Sequence, residues 1–243
     1  MTRAAFDFSG SVILVTGGAN GIGAALSVEL RRRQATVVVA DVDEEGARAL
    51  AAEGGGPGCC EAVRMDVSRR DEVQRTVADV VERHGRLDGL VCAAVVQPLA
   101  RIDEISPEEW QRVIDVNLNG VVWCCQAVLP TMKRQAGGSI VLFASGTADT
   151  GKPLAGGYTA SKGAVRSFAK TLAREVADAR VRVNVFRPGA IDTPQFRTAN
   201  PGGTTIPLDR PQDAVGPLMF LLSEAATMTG SLVAREMPFP GAG

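Results

Sequence analysis

The stretch GGYTASKGA, Gly156 to Ala164, holds the only tyrosine of the chain, Tyr158, four residues ahead of Lys162. Residues four apart share one face of a helix, so this spacing sets a phenol beside an ammonium. A free tyrosine has a pKa near 10, and service as a base near pH 7 asks for a shift of ~3 units, about 4 kcal/mol. A unit charge ~4 Å away at an effective dielectric of ~20 interacts by about 4 kcal/mol. One neighbouring ammonium is therefore of the right size to make Tyr158 an acid/base. Taken alone, the pair also reads as a packed ring beside a solvated charge, so the rest of the chain has to decide.

A second candidate lies near the start. VTGGANGIG leaves an apolar run and enters a helical pattern with Ile22, Leu26 and Leu30 on its apolar positions. Gly17, Gly21 and Gly23 let the backbone turn sharply and approach a pyrophosphate, whose charge is favoured at a helix N-terminus. The next apolar run ends in Asp41, eighteen residues after Gly23, where a carboxylate can bind both ribose hydroxyls of NAD and repels the 2'-phosphate of NADP. No lysine or arginine sits in the turn or closely follows Asp41. The cofactor predicted is NAD, preferred over NADP.

These groups need a frame. Short β-branched runs recur at 11–16, 35–40, 87–94, 138–145 and 181–186, and near-continuous apolar runs suit strands covered on both faces. Helical patterns lie between them: Val73, Val77, Val80 and Val81 mark one stripe, and Ala160, Ala164, Phe168, Leu172 and Val176 another. SPEEW opens a helix that should run toward Asn117, with Ser106 as cap, Pro107 in the first turn and Glu109 completing a capping box. Alternating strands and helices imply an α/β fold, a single Rossmann-type doubly wound parallel sheet of about seven strands with helices on both faces. One domain over 1–243 is expected, with loops at 53–58 and 198–207; the second belongs to a mobile substrate loop at about 190–210.

Composition narrows the partners. With 243 residues, 45% of them apolar, and a formal charge of -1, the chain is a folded domain without general attraction for nucleic acid or an anionic membrane. Five cysteines at these spacings match neither a zinc ribbon nor a redox CxxC, so no metal is predicted and the thiols fit a reducing cytoplasm. No leader-like segment and no run of eighteen apolar residues is present. The sole histidine, His84, stands at a helix end, and Ser145 lacks a GxSxG context, which leaves a serine hydrolase without its base.

TGGANGIG, Asp41, Asn117, Ser145, YTASK and PGAIDTP together resemble the short-chain dehydrogenase/reductase (SDR) family over nearly the whole chain. The resemblance implies that Tyr158 is the acid/base, that Ser145 hydrogen-bonds the substrate oxygen, and that Lys162 binds ribose while lowering the tyrosine pKa. It implies that Asn117 holds a proton-relay water near Lys162. It places the dinucleotide against Gly17, Asn20, Gly21, Ile22, Gly23, Asp41 and Val42, with Asp66 and Val67 at the adenine, Ala93 and Ala94 beneath, and Pro188, Gly189, Ile191 and Thr193 at the nicotinamide end. The substrate pocket would borrow Gln97, Thr147, Lys152, Leu154, Phe196 and Arg197, an assortment open to many secondary alcohols; Lys152 or Arg197 either holds an anionic group or is solvated.

The chain departs from the family at Cys92-Ala93-Ala94-Val95, where Asn-Asn-Ala-Gly is usual, and at its C-terminal end, which lacks Val-Asp-Gly-Gly. A valine where the family has glycine bears on how closely the backbone approaches the cofactor. The expected activity is that of an NAD-dependent alcohol dehydrogenase or carbonyl reductase acting on a small alcohol or ketone. The competing reading is a catalytically weakened NAD-binding regulatory or scaffold protein. The alanine-rich stripe after Tyr158, taken with the family habit, points to a homo-oligomer, a tetramer or dimer.

Overall fold

Seven parallel strands form the sheet in the computed structural model, which describes residues 6–53 and 56–235. They are β1 (Val12–Thr16), β2 (Thr36–Asp41), β3 (Cys59–Arg64), β4 (Gly89–Cys92), β5 (Gly138–Phe143), β6 (Val181–Arg187) and β7 (Leu232–Ala234), in the spatial order β3-β2-β1-β4-β5-β6-β7. Five of them are the apolar runs legible in the sequence. The other two are the sheet edges: β3 alternates cysteine, glutamate and arginine with small apolar residues and is only half-buried, and β7 spans three residues. The usual C-terminal motif would fall at 236–243, outside the described residues.

Successive residues of a strand point to opposite faces, and both faces are covered. Val12 and Leu14 pack with α3 (Arg70–His84), α5 (Gly120–Gln135) and α7 (Gly156–Glu175). Ile13 and Val15 pack with α1 (Gly21–Arg32), α2 (Glu44–Ala52) and α9 (Val215–Leu222). The chain winds one way from β1 to β3 and then returns to place β4 on the other side of β1. At such a switch the loops leave the carboxyl ends of β1 and β4 in opposite directions and open a crevice.

Ser106 Oγ accepts from Glu109 N at 3.1 Å and Pro107 opens α4 (Pro107–Ile114), as the SPEEW signal predicts. The helix does not stop near Asn117. It passes through one π-helical turn, Asp115–Asn119, and continues as α5. The short α6 (Thr147–Thr150) follows β5, and α8 (Pro194–Thr198) lies in the segment after β6. The buried face of α7 is Gly157, Ser161, Val165, Ala169 and Leu172. The predicted stripe is met only in its second half: Leu172 and Val176 are buried and Phe168 packs against the core, while Ala164 is half-buried and Ala160 exposed.

Candidate active site

β1 ends at Thr16, and the chain turns through Gly17 at φ +65° and enters α1 at Gly21, φ +56°. A Cβ on Gly17 would lie 2.4 Å from Ala94 N, and one on Gly23 would lie 2.3 Å from Gly17 O. Only glycine permits this closeness, and the bare turn faces the crevice ahead of the helix N-terminus. The residues present therefore fit a pyrophosphate. Asp41 Oδ2 accepts from Ala19 N at 3.0 Å and its Oδ1 from Asp43 N at 3.0 Å, so the turn itself aims the carboxylate. Asn20 Nδ2 reaches Asp43 Oδ2 at 3.4 Å.

A cleft of about 1020 Å³ runs along the carboxyl ends of the strands. It is lined by Gly17, Asn20, Gly21, Ile22, Gly23, Asp41 and Val42 at one end, Asp66, Val67, Ala93 and Ala94 along the floor, and Tyr158, Lys162, Pro188 and Thr193 at the other. Two residues expected beside the cofactor do not line it. Gly189 turns at φ +82° with its would-be Cβ 2.6 Å from Arg235 O, and Ile191 is buried in the apolar cluster under α9. The cleft adds Met65, Ser68, Phe143, Ala144, Gln111 and Gln195. Phe143 and Ala144 follow from a signal already in the sequence, the end of a predicted strand, whereas Met65 follows β3, which the apolar pattern does not mark. Gln111 and Gln195 carry no such mark.

Tyr158 and Lys162 lie one helical turn apart, with Lys162 Nζ 5.8 Å from the centroid of the Tyr158 ring. Lys162 is buried, 4% exposed. Burial depresses its pKa to about 8, and the nearby Cys92 thiol acts in the opposite sense. Burial also pushes the Tyr158 hydroxyl up, while its hydrogen bond with Ser145 pulls it down. The predicted lowering of the tyrosine by the lysine is thus not a property of the protein alone. The ammonium sits over the ring face, and desolvation of a phenolate prevails.

Ser145, two residues past β5, holds Thr147 in place: the two hydroxyl oxygens are 3.0 Å apart, and Thr147 N donates to Ser145 Oγ at 3.3 Å. Asn117 is fully buried in the π-helical turn. Its Nδ2 donates to Val96 O at 2.9 Å and Ser161 Oγ at 3.2 Å, and its Oδ1 accepts from Val96 N at 2.9 Å. The amide therefore clamps the loop after β4 to the residue before Lys162. That loop keeps its place despite Val95: Ala93 N donates to Thr16 O at 3.0 Å, one residue beyond the Thr16–Cys92 pair.

None of the six substrate-pocket residues lines the cleft itself. Gln97 Oε1 accepts from Gln195 Nε2 at 2.6 Å, and Leu154 O accepts from Ala100 N at 2.9 Å. Phe196 N donates to Thr193 Oγ1 at 3.1 Å, capping α8, and Thr147 is held by Ser145. Arg197 is a solvated surface charge, 70% exposed, and Lys152 is half-buried, and each already has partners. Lys152 Nζ donates to Ala199 O at 2.9 Å and Asn200 Oδ1 at 2.8 Å, and Arg197 forms a two-point pair with Asp192 at 2.7 and 2.8 Å. His84, half-buried at the end of α3, pairs with Glu61 on the far edge strand at 3.2 Å. It cannot serve Ser145.

The short chain dehydrogenase family model matches residues 11–202. A 3-oxoacyl-[acyl-carrier-protein] reductase of Thermotoga maritima is 36% identical over 234 residues, covering 92% of this chain and 95% of the relative. A D-threitol dehydrogenase of Mycolicibacterium smegmatis is 37% identical over 235 residues, 92% of this chain and 90% of the relative. Among solved structures, a 3-ketoacyl-(acyl-carrier-protein) reductase from Brucella melitensis complexed with NADH superposes with a TM-score of 0.85 at 30% identity, covering 95% of this chain and 98% of that one. The glycine turn, the Tyr158–Lys162 pair beside Ser145 and these likenesses lead to one conclusion, that the chain belongs to the short-chain dehydrogenase/reductase family of oxidoreductases.

Proposed function

We propose that the chain is an NAD-dependent oxidoreductase that interconverts a secondary alcohol and a ketone. The observation that carries this reading is a cleft with Asp41 at one end and Tyr158 and Lys162 at the other, joined by a glycine turn bare enough for a pyrophosphate. Bound nicotinamide would supply the hydride acceptor or donor. Everything else falls to side chains of this chain. Ser145 orients the substrate oxygen, and Tyr158, hydrogen-bonded to Ser145, takes the hydroxyl proton in oxidation and returns it in reduction. Lys162 binds the ribose near the nicotinamide, and Asn117 fixes Lys162 indirectly by holding Ser161 to the Val96 loop.

Asp41 supports NAD over NADP, because its fixed carboxylate stands where a 2'-phosphate would bring like charge. The same reading makes the protein cytoplasmic, with a small molecule as partner and no role for nucleic acid or membrane. It also makes the protein a homo-oligomer, a tetramer or dimer, whose subunits meet along the α7 face that carries exposed Ala160 and half-buried Ala164. The deciding experiment is a panel of secondary alcohols and ketones followed by nicotinamide absorbance, with NAD and NADP in parallel. NAD turnover on at least one substrate is the expected result, and failure to bind either dinucleotide by calorimetry ends the proposal.

A further inference from the structure

Three segments just outside Tyr158 are tied to one another in pairs. Gln97 meets Gln195 at 2.6 Å, Ala100 N meets Leu154 O at 2.9 Å, and Lys152 Nζ meets Ala199 O and Asn200 Oδ1 at 2.9 and 2.8 Å. Val95, Val96, Thr193 and Gln195 of these segments line the same cleft as Tyr158. The segments therefore close a ring around the end of the cleft where a substrate must enter, and the chemistry of that ring can be read.

Its polar atoms are turned inward on one another. The cations of the three segments are each engaged: Lys152 as above, Arg197 by Asp192 at 2.7 Å, and Arg101 by Asp103 at 3.1 Å. A carboxylate or phosphate on the substrate finds Arg197 and Arg101 already paired with carboxylates, and would reach Lys152 only by displacing its two hydrogen bonds to neutral oxygens, while a polyol finds the amides of Gln97 and Gln195 hydrogen-bonded together. Displacing such a pair without replacing both bonds costs binding.

What the ring offers instead is apolar. Among the described residues four large apolar side chains are exposed, and two of them stand here, Ile102 at 72% and Leu154 at 47%. Single exposed apolar side chains are ordinary, but these two are held in place by specific means. Leu154 keeps φ +68°, a left-handed backbone that is uncommon for leucine and is retained only where the surroundings enforce it. Ile102 Cδ1 lies 3.2 Å from where a Cβ on Gly156 would be, so the glycine two residues before Tyr158 leaves that space to the isoleucine.

We propose that the substrate is an uncharged secondary alcohol or ketone with an apolar ring or branched skeleton, seated against Ile102 and Leu154 with its oxygen at Ser145 and Tyr158. The inference rests on the oxidoreductase reading above and narrows its substrate class. The test compares kcat/KM with NAD for cyclohexanol, erythritol and 3-hydroxybutyrate, with calorimetric titration of NAD alongside. Cyclohexanol is expected to lead by at least about a hundredfold, the scale at which pocket chemistry discriminates.

A lead for erythritol or 3-hydroxybutyrate overturns the substrate class and leaves the oxidoreductase reading standing. Silence with all three also overturns it, and the calorimetry then shows whether dinucleotide binding has fallen with it. In Ile102→Asp and Leu154→Gly the KM for cyclohexanol should rise about tenfold while that for 2-propanol, too small to reach the rim, moves less than about twofold. Equal rises for both alcohols, or a changed oligomeric mass with unchanged KM, overturn the proposal in favour of a structural or subunit-contact role.

Discussion

Lys162 Nζ lies over the ring of Tyr158, 5.8 Å from its centroid, and the two buried groups are driven in opposite directions by the same desolvation. The phenol is held neutral, whereas the amine, brought to about 8, is still largely an ammonium near neutral pH, so only the phenol lacks the charge state that a base calls for. On the proposed reading, a bound nicotinamide cofactor would change that balance by adding positive charge at one end of the cleft and ribose hydroxyls beside the amine, and acid/base competence would belong to the binary complex.

Replacing Tyr158 with Phe removes the hydroxyl and keeps the ring. Turnover should fall by at least about a hundredfold, the usual scale of general acid/base help, with little change in NAD affinity. Steady-state rates and an NAD titration of the same preparation check both halves, and near-native turnover would show that another group moves the proton.

The depressed pKa of Lys162 makes binding sensitive to alkali. On the proposed reading the ammonium holds the ribose, and the free protein loses that proton as pH rises through about 8. The sign is therefore fixed: affinity for NADH is full below pH 8 and weakens above it, by up to about tenfold per pH unit. Fluorescence titrations from pH 7 to 10 measure it. Lys162→Met should bind weakly at every pH and lose the dependence, whereas a native affinity that is flat across this range would remove the lysine from the ribose.

Asp41 is fixed by Ala19 N and Asp43 N whether or not a ribose is present. Asp41→Ala should weaken NAD binding by about tenfold, the loss of one charge-assisted hydrogen-bonding group. NADP binding should improve less, because the change removes repulsion without supplying a cation. Parallel Kd measurements decide, and equal use of both dinucleotides by the native protein would mean that another residue governs the choice.

What could be read from the sequence was whatever depends on neighbours in the chain. The glycine turn, the Tyr158–Lys162 pair and the Ser106 cap are local spacings, and each stands as expected. The edge strand β3 escaped notice because Glu61 and Arg64 interrupt its apolar pattern, and only one of its faces needs to be apolar. The stripe on α7 holds at Phe168, Leu172 and Val176 and fails at Ala160 and Ala164, since alanine suits a buried or an open face equally well. Lys152 and Gln97 were beyond reach for a different reason. Their partners, Asn200 and Gln195, lie 48 and 98 residues away, and no local pattern encodes which atoms a loop meets once the sheet has brought them together.

Val95 stands where the family resemblance implies a glycine, yet the loop after β4 stays bonded to β1. Ala93 remains bonded to Thr16, and Ala94 N would meet a Cβ on Gly17 at 2.4 Å. The valine side chain is accommodated by the cleft, which it lines half-buried, and there it takes volume that a cofactor would use. Val95→Gly should therefore tighten NAD binding by about three- to tenfold, roughly 0.7–1.4 kcal/mol, and leave turnover on a good substrate within about twofold, because Ser145, Tyr158 and Lys162 stand on other elements. Calorimetry and steady-state kinetics on the same pair of proteins test this. If the native chain is inactive on every substrate and Val95→Gly gains turnover, the valine is what silences it, and the protein is a dinucleotide-binding regulator in which a single branched side chain separates binding from chemistry.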